Sequence, residues 1–142
     1  MAGEGSGRTA FSGLIEQARA GALTLRMEPE EFARLDRECT EFQTVIGQIQ
    51  QTMTDISNIN TWGFGDNAES GLTSARVMAN RFRNKARGSD DSFYDVLEEH
   101  YIIVEDIRIL HQLIRDRFMA ADEEWASRFN AEATGLAQAA AK

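Results

Sequence analysis

An all-α fold is predicted by three features of this 142-residue chain. A segment opening on the only proline repeats apolar residues every three or four positions, a second such pattern follows a glycine-rich interruption, and no sustained apolar/polar alternation marks a strand. The length fits one domain of about 100–200 residues. With 42% hydrophobic and 27% charged residues, the chain can build a packed core and has neither a disordered nor a membrane composition.

The elements follow in order. Residues 1–21, "MAGEGSGRTAFSGLIEQARAG", are rich in glycine and read as a flexible N-terminal segment. They carry no charged region followed by a continuous apolar run, so a general secretory signal peptide is not expected. "ALTLRM" at 22–27 alternates briefly and reads as an extended lead-in. Pro29, followed by Glu30 and Glu31, suits the first turn of a helix: its missing N–H costs nothing there, and the carboxylates meet the positive helix end. From this start Phe32, Leu35, Cys39, Phe42, Ile46, Ile49, Met53 and Ile56 keep a 3-4-3-4 spacing, the seam of a coiled coil.

The run "NTWGFGDN" then interrupts the pattern. Gly63 and Gly65 let the backbone leave the helix and reverse around Trp62. Two roles are open to the indole: a cap over the end of its own hairpin, or a recognition side chain at the tip of a bundle. Leu72, Ala75, Ala79, Phe82 and Ala86 predict a helix over 69–87, and "RGSDDS" breaks it. A third helical pattern starts near residue 91, with Ser89 or Asp90 as N-cap. Its seam reads Phe93, Leu97, His100, Val104, Ile107, His111, Ile114, Phe118, Ala121 and Trp125. Its length of about 38 residues corresponds to about 57 Å. Residues 131–142 are left as a C-terminal tail.

The predicted architecture is a helical-hairpin domain over 22–130, antiparallel around a Trp-Gly turn, with its second arm kinked. Phe32, Leu35, Phe42, Ile46, Ile49 and Met53 would face Val104, Ile107 and Ile114 along the hairpin and dimer seam. Tyr94, Tyr101, Leu110 and Leu113 find no partner within such a hairpin, so a second hairpin is expected to complete a four-helix-like bundle.

A net charge of −8 argues against nucleic acid as a partner. The middle of the chain is less acidic, with Arg76, Arg81, Arg83, Lys85 and Arg87 close together. The longest apolar run is far shorter than the roughly 20 residues of a membrane span, so no span is expected. Cys39, the single cysteine, cannot form an internal disulfide and is expected as a small buried hydrophobe. His100 and His111 lie about 16 Å apart along a helix and cannot share a metal ion. They are expected to bond carboxylates across the seam, with pH sensing as the alternative. No nucleophile elbow, phosphate-binding loop or HExxH is found, and the carboxylate clusters read as solvated helix faces. No enzyme is expected, and no catalytic, metal-binding or cofactor-binding residue is assigned.

The helix, Trp-Gly turn, helix order resembles the WXG family of helical-hairpin proteins exported by type VII (ESX) secretion systems of actinobacteria and related bacteria. "LTLRMEPEEFARL" is similar to the opening of the secretion-associated members. "RFMAADEEWASRF" is similar to the family's C-terminal export signal, Tyr-x-x-x-Asp/Glu followed by acidic and aromatic residues. The turn places glycines at the first and third positions after Trp62, and Phe118 stands where the signal has tyrosine. Matches to Tyr-x-x-x-Glu also occur at Tyr94 to Glu98 and Tyr101 to Glu105.

The resemblance implies a hairpin that forms a homodimer or a heterodimer with a related hairpin and is read by the secretion ATPase. Trp62, Gly63 and Gly65 would shape the turn, and Phe118, Asp122 and Trp125 would form the export signal, with Tyr101 and Glu105 as the alternative. The protein would be cytoplasmic before export and secreted or cell-surface afterwards, by a route independent of a signal peptide. Two alternatives stand beside this reading: a companion that pairs with a larger type VII effector, and a cytoplasmic adaptor or regulator whose basic patch meets an acidic partner.

Overall fold

A computed structural model of the chain describes residues 11–23 and 26–142. Residues 1–10 of the expected flexible segment, and Thr24 and Leu25 of the expected lead-in, lie outside the described residues. Five helices are present and no strand occurs among the described residues: α1 Ser12–Ala20, α2 Pro29–Ser57, α3 Thr73–Ala86, α4 Phe93–Ala121 and α5 Glu123–Ala140. The helix starts follow local chemistry. Pro29 opens α2, and the Glu31 carboxylate accepts the Glu28 N–H at 3.1 Å, one half of a capping box. The cap of α4 is Ser92, not Ser89 or Asp90. Its buried hydroxyl accepts the Asp95 N–H at 3.2 Å.

The chain divides into two compact units. One combines Met1–Gln43 with Ile102–Lys142, and the other is Thr44–Tyr101.

The first unit has a filled core of Ile15, Ala18, Phe32, Ala33, Leu110, Ile114 and Phe129. Here α4 runs against the direction of α2: Arg108 and Gln112 donate to Asp36 at 3.2 and 2.9 Å, and Gln43 donates to Glu105 at 2.8 Å. In contrast, α5 runs along α2 in the same direction. Arg128 reaches Glu28 and Glu30, Arg34 pairs with Glu132, and the Arg37 guanidinium donates to the Leu136 carbonyl. The chain therefore turns back at Asp122. This one residue is extended (φ −143°, ψ 108°), and its carboxylate accepts the Trp125 N–H at 3.0 Å as the N-cap of α5.

Four expectations are corrected in this unit. The single helix of about 38 residues is two helices. Residues 131–142 are not a loose tail, because α5 runs to Ala140 with Ala133 and Leu136 packed on the core. The segment 1–21 contains α1, which buries Ile15 and Ala18 and ends at Gly21 with the positive φ of a helix C-cap. Leu110 and Leu113, expected to need a second chain, lie in or against the core of their own.

The second unit joins the C-terminal part of α2, α3 and the start of α4. Its interior is small and polar: Ile46, Ala79 and Ala86 are buried with Gln50, Asp66 and Ser92. Gln50 donates to Glu98 at 2.8 Å and to the Tyr94 carbonyl at 3.3 Å. Val45, Ile49, Val77, Met78, Phe82, Phe93 and Val96 remain exposed.

The seam on α2 is thus shifted from the expected one. Cys39, Gln43, Ile46 and Gln50 are buried, whereas Phe42 is 53% and Ile49 38% exposed. Leu35 and Met53 are half-buried, as are Val104 and Ile107 on α4. The buried face includes two glutamines because each amide donates to a glutamate of α4, leaving no bare donor inside. Phe32→Ala should therefore destabilise the protein by about 3–5 kcal/mol in urea unfolding, as for a filled aromatic site. Phe42→Ala should stay within about 0.5 kcal/mol. Equal losses would show that the expected seam is the packed one.

Candidate functional site

The most organised loop is the Trp62 turn of the second unit. Gly63 and Gly65 adopt φ of 88° and 91°, which only glycine takes without strain. A side chain at Gly65 would also run into Leu72. The polypeptide is gathered around Asp66, whose buried carboxylate accepts the Trp62 N–H at 2.8 Å and the Gly63 N–H at 3.2 Å. Such converging backbone N–H groups form an anion nest, here filled by the chain's own carboxylate. Burial pushes this carboxyl's pKa up, but the Trp62, Gly63 and Phe64 N–H groups outweigh it and hold the group below the usual carboxylate range.

Arg83 closes the turn from α3. It donates to the Ile59 and Asn60 carbonyls at 2.7 and 2.6 Å and stands 3.7 Å from Asp66. The Trp62 ring lies 5.5 Å from Phe82, and Phe64 meets the same ring edge-on at 6.4 Å. Trp62 is half-buried, and its indole N–H is enclosed without a hydrogen-bond partner. The indole thus rests against α3 of its own unit while part of it stays exposed.

Asp66 and Arg83 were not singled out as turn residues from the sequence. The signal was available for Asp66, since an aspartate after glycine is a common acceptor for turn backbone. Arg83 was counted with the basic patch, and the patch itself is largely spent internally. Lys85 pairs with Asp91 at 2.9 Å, and Arg87 bonds Thr54 and lies 4.1 Å over the Tyr94 ring. Arg76 and Arg81 remain exposed.

The second constellation is the aromatic cluster of the first unit. Phe118 stacks on Trp125 at 5.3 Å, Trp125 on Phe129 at 5.8 Å, and both Phe118 and Trp125 touch Phe32. Phe118, Asp122 and Trp125 do come together, the first and last as packing groups and the middle one as a helix cap. On α4, Tyr101 is exposed, and Glu105 accepts from Gln43 and Arg108. Within the chain the histidines lie against backbone carbonyls. Each Nδ1 lies 2.7 Å from the carbonyl four residues back, Val96 for His100 and Ile107 for His111, and His111 packs edge-on against Phe32. Cys39 is buried, and burial pushes its thiol pKa up.

No cluster of metal-ligating side chains occurs among the described residues, and no described helix is long and apolar enough to cross a membrane. Comparison with known protein families, curated proteins and solved structures gives no match to this chain.

The Asp66 nest makes a signed prediction. A carboxyl held below its ordinary value stabilises the fold above that value, and the contribution disappears as the pH falls through the lowered one. Asp66→Asn should lower Tm, by an amount that is steady from neutral pH to about pH 5 and shrinks below the ordinary carboxylate range near pH 4. Thermal unfolding followed at several pH values checks this. A difference that is independent of pH throughout would show that the charge at Asp66 is not what organises the turn.

Proposed function

We propose that the chain is a non-enzymatic helical-hairpin protein of the WXG type, a substrate or co-secreted partner of a type VII secretion system. It pairs with a related hairpin, as a second copy or a different chain, and the secretion ATPase reads the assembly. The observation that carries this reading is the number of large apolar side chains that the Thr44–Tyr101 unit leaves exposed. Val45 and Ile49 on α2, and Phe93 and Val96 on α4, are open to water in a unit whose own interior holds little beyond alanine, glutamine and one isoleucine. Apolar side chains exposed at helical spacing on both helices are what a partner helix could cover.

The Trp62 turn supports the family side of the reading, since its glycines and its carboxylate nest fix a tryptophan between two helices. A companion of a larger effector would use the same side chains. The adaptor alternative loses ground because Arg83, Lys85 and Arg87, three of the five basic groups proposed to meet an acidic partner, are engaged within the unit.

Export is assigned first to Phe118, Asp122 and Trp125, and second to Tyr101 and Glu105. Phe118→Ala and Asp122→Ala should each remove the protein from the culture filtrate of a type VII-competent host while leaving it helical in the cytoplasm by circular dichroism. If these variants are exported and Tyr101→Ala or Glu105→Ala is not, the signal lies on α4. Export of all four overturns the signal assignment altogether. Ile49→Glu should abolish partner pairing measured by light scattering with little loss of helicity, because the position is already solvent-facing.

A further inference from the structure

The corner at Asp122 has an unusual construction. Two helices that run in opposite directions along α2 are joined by one residue, and the joint contains neither glycine nor proline. The apolar register of α4 does not stop there. Ile107, His111, Ile114, Phe118, Ala121 and Trp125 keep one 3-4-3-4 spacing straight through the corner, as in an uninterrupted helix. Moving Asp122 alone from extended to helical backbone would fuse α4 and α5 into one helix and carry α5 off its own α2. The α2 surface so vacated is specific to α5. Phe32 takes Trp125, while Glu28 with Glu30, Arg34 and Arg37 take Arg128, Glu132 and Leu136, in register at helical intervals.

We propose that α5 is exchanged between two copies of this chain, with Asp122 as the hinge. In the closed form α5 covers Phe32 of its own chain. In the exchanged form α4 and α5 are continuous, and the α5 of each copy occupies the same place on the other. Every α2–α5 contact is kept, because the same residues meet. Only the hinge differs, and this equivalence is what makes exchange of a terminal element accessible. At low concentration the closed form wins, since its α5 is held at high effective concentration by its own chain. Exchange adds a route to a dimer that is independent of the Thr44–Tyr101 unit.

The test uses two full-length chains in a Cys39→Ala background, one carrying Arg34→Cys and the other, distinguished by a size tag, Glu132→Cys. They are refolded together at high concentration and treated with a short bis-maleimide. Linkage between unlike chains is expected, and refolding at high dilution should remove it. Glu123→Pro locks the closed form, because proline is tolerated at the first position of α5, its neighbour Asp122 is already extended, and a continuous helix would be broken. In both chains it should reduce the linked dimer by well over a hundredfold, since each of the two hinges carries the penalty, while circular dichroism shows the fold retained. Asp122→Ala, which removes the cap, should raise the linked fraction roughly fivefold. Linkage unaffected by Glu123→Pro would overturn the hinge. A dimer by light scattering without unlike-chain linkage, or a monomer at every concentration, would overturn exchange. The first of these leaves pairing through the Thr44–Tyr101 unit standing.

Discussion

The contact between Phe32 and the aromatic residues around Asp122 is the one on which the first unit depends. Phe32 sits in the first turn of α2, is 2% exposed, and touches His111 and Phe118 from α4 and Trp125 from α5. These two helices can share one ring only because the chain turns back between residues 118 and 125. The turn in turn is stabilised by a carboxylate that caps α5 and by the Arg128 fork, which joins α5 to Glu28 and Glu30. Hydrogen bonding from Arg128 holds the Glu30 carboxyl below its ordinary range. Exposed ion pairs of this kind contribute modestly. The aromatic burial supplies the larger share, and the charges select the register.

What was legible in the sequence follows from how local its causes are. Pro29 at a helix start and glycines at positive φ in the turn are decided within a few residues, and both appear where the sequence predicts them. The break after Arg87 is local too, although Ser92 does the capping. The rotation of the α2 seam was not legible, because it depends on Gln43 and Gln50 finding glutamates on another helix. A polar residue reads as a surface residue until its partner is known. Helix α1 is short, lies among glycines and is stable only through the core it joins. The corner at Asp122 was hidden for the opposite reason: the apolar register runs through it unbroken, and nothing in the composition marks a stop.

The two units divide the work of the chain unequally. The first buries large side chains and takes α1 and α5 into its core, while the second relies on alanines, the Gln50–Glu98 pair, the buried Asp66 carboxylate and a turn closed by Arg83. Both units present apolar side chains to water, Phe42, Ile102 and Ile103 on the first and Val45, Ile49, Phe93 and Val96 on the second, but only the first gathers large buried side chains into a core. The same amphipathic pattern along α2 and α4 thus contributes to one unit with a core of large side chains and to another whose interior is small and polar. The difference lies in what packs on these helices within each unit rather than in the helices themselves.

The chain has two tryptophans, and the fold separates them: Trp62 belongs to the second unit and Trp125 to the first. Their surroundings differ in kind. Trp125 lies between two phenylalanine rings, and Trp62 has one ring beside it and an enclosed N–H without an acceptor. Each unit therefore carries its own intrinsic fluorophore. Replacing either indole with phenylalanine leaves a tryptophan emission signal that reports on one unit alone, so the melting order of the two units can be read without any attached label.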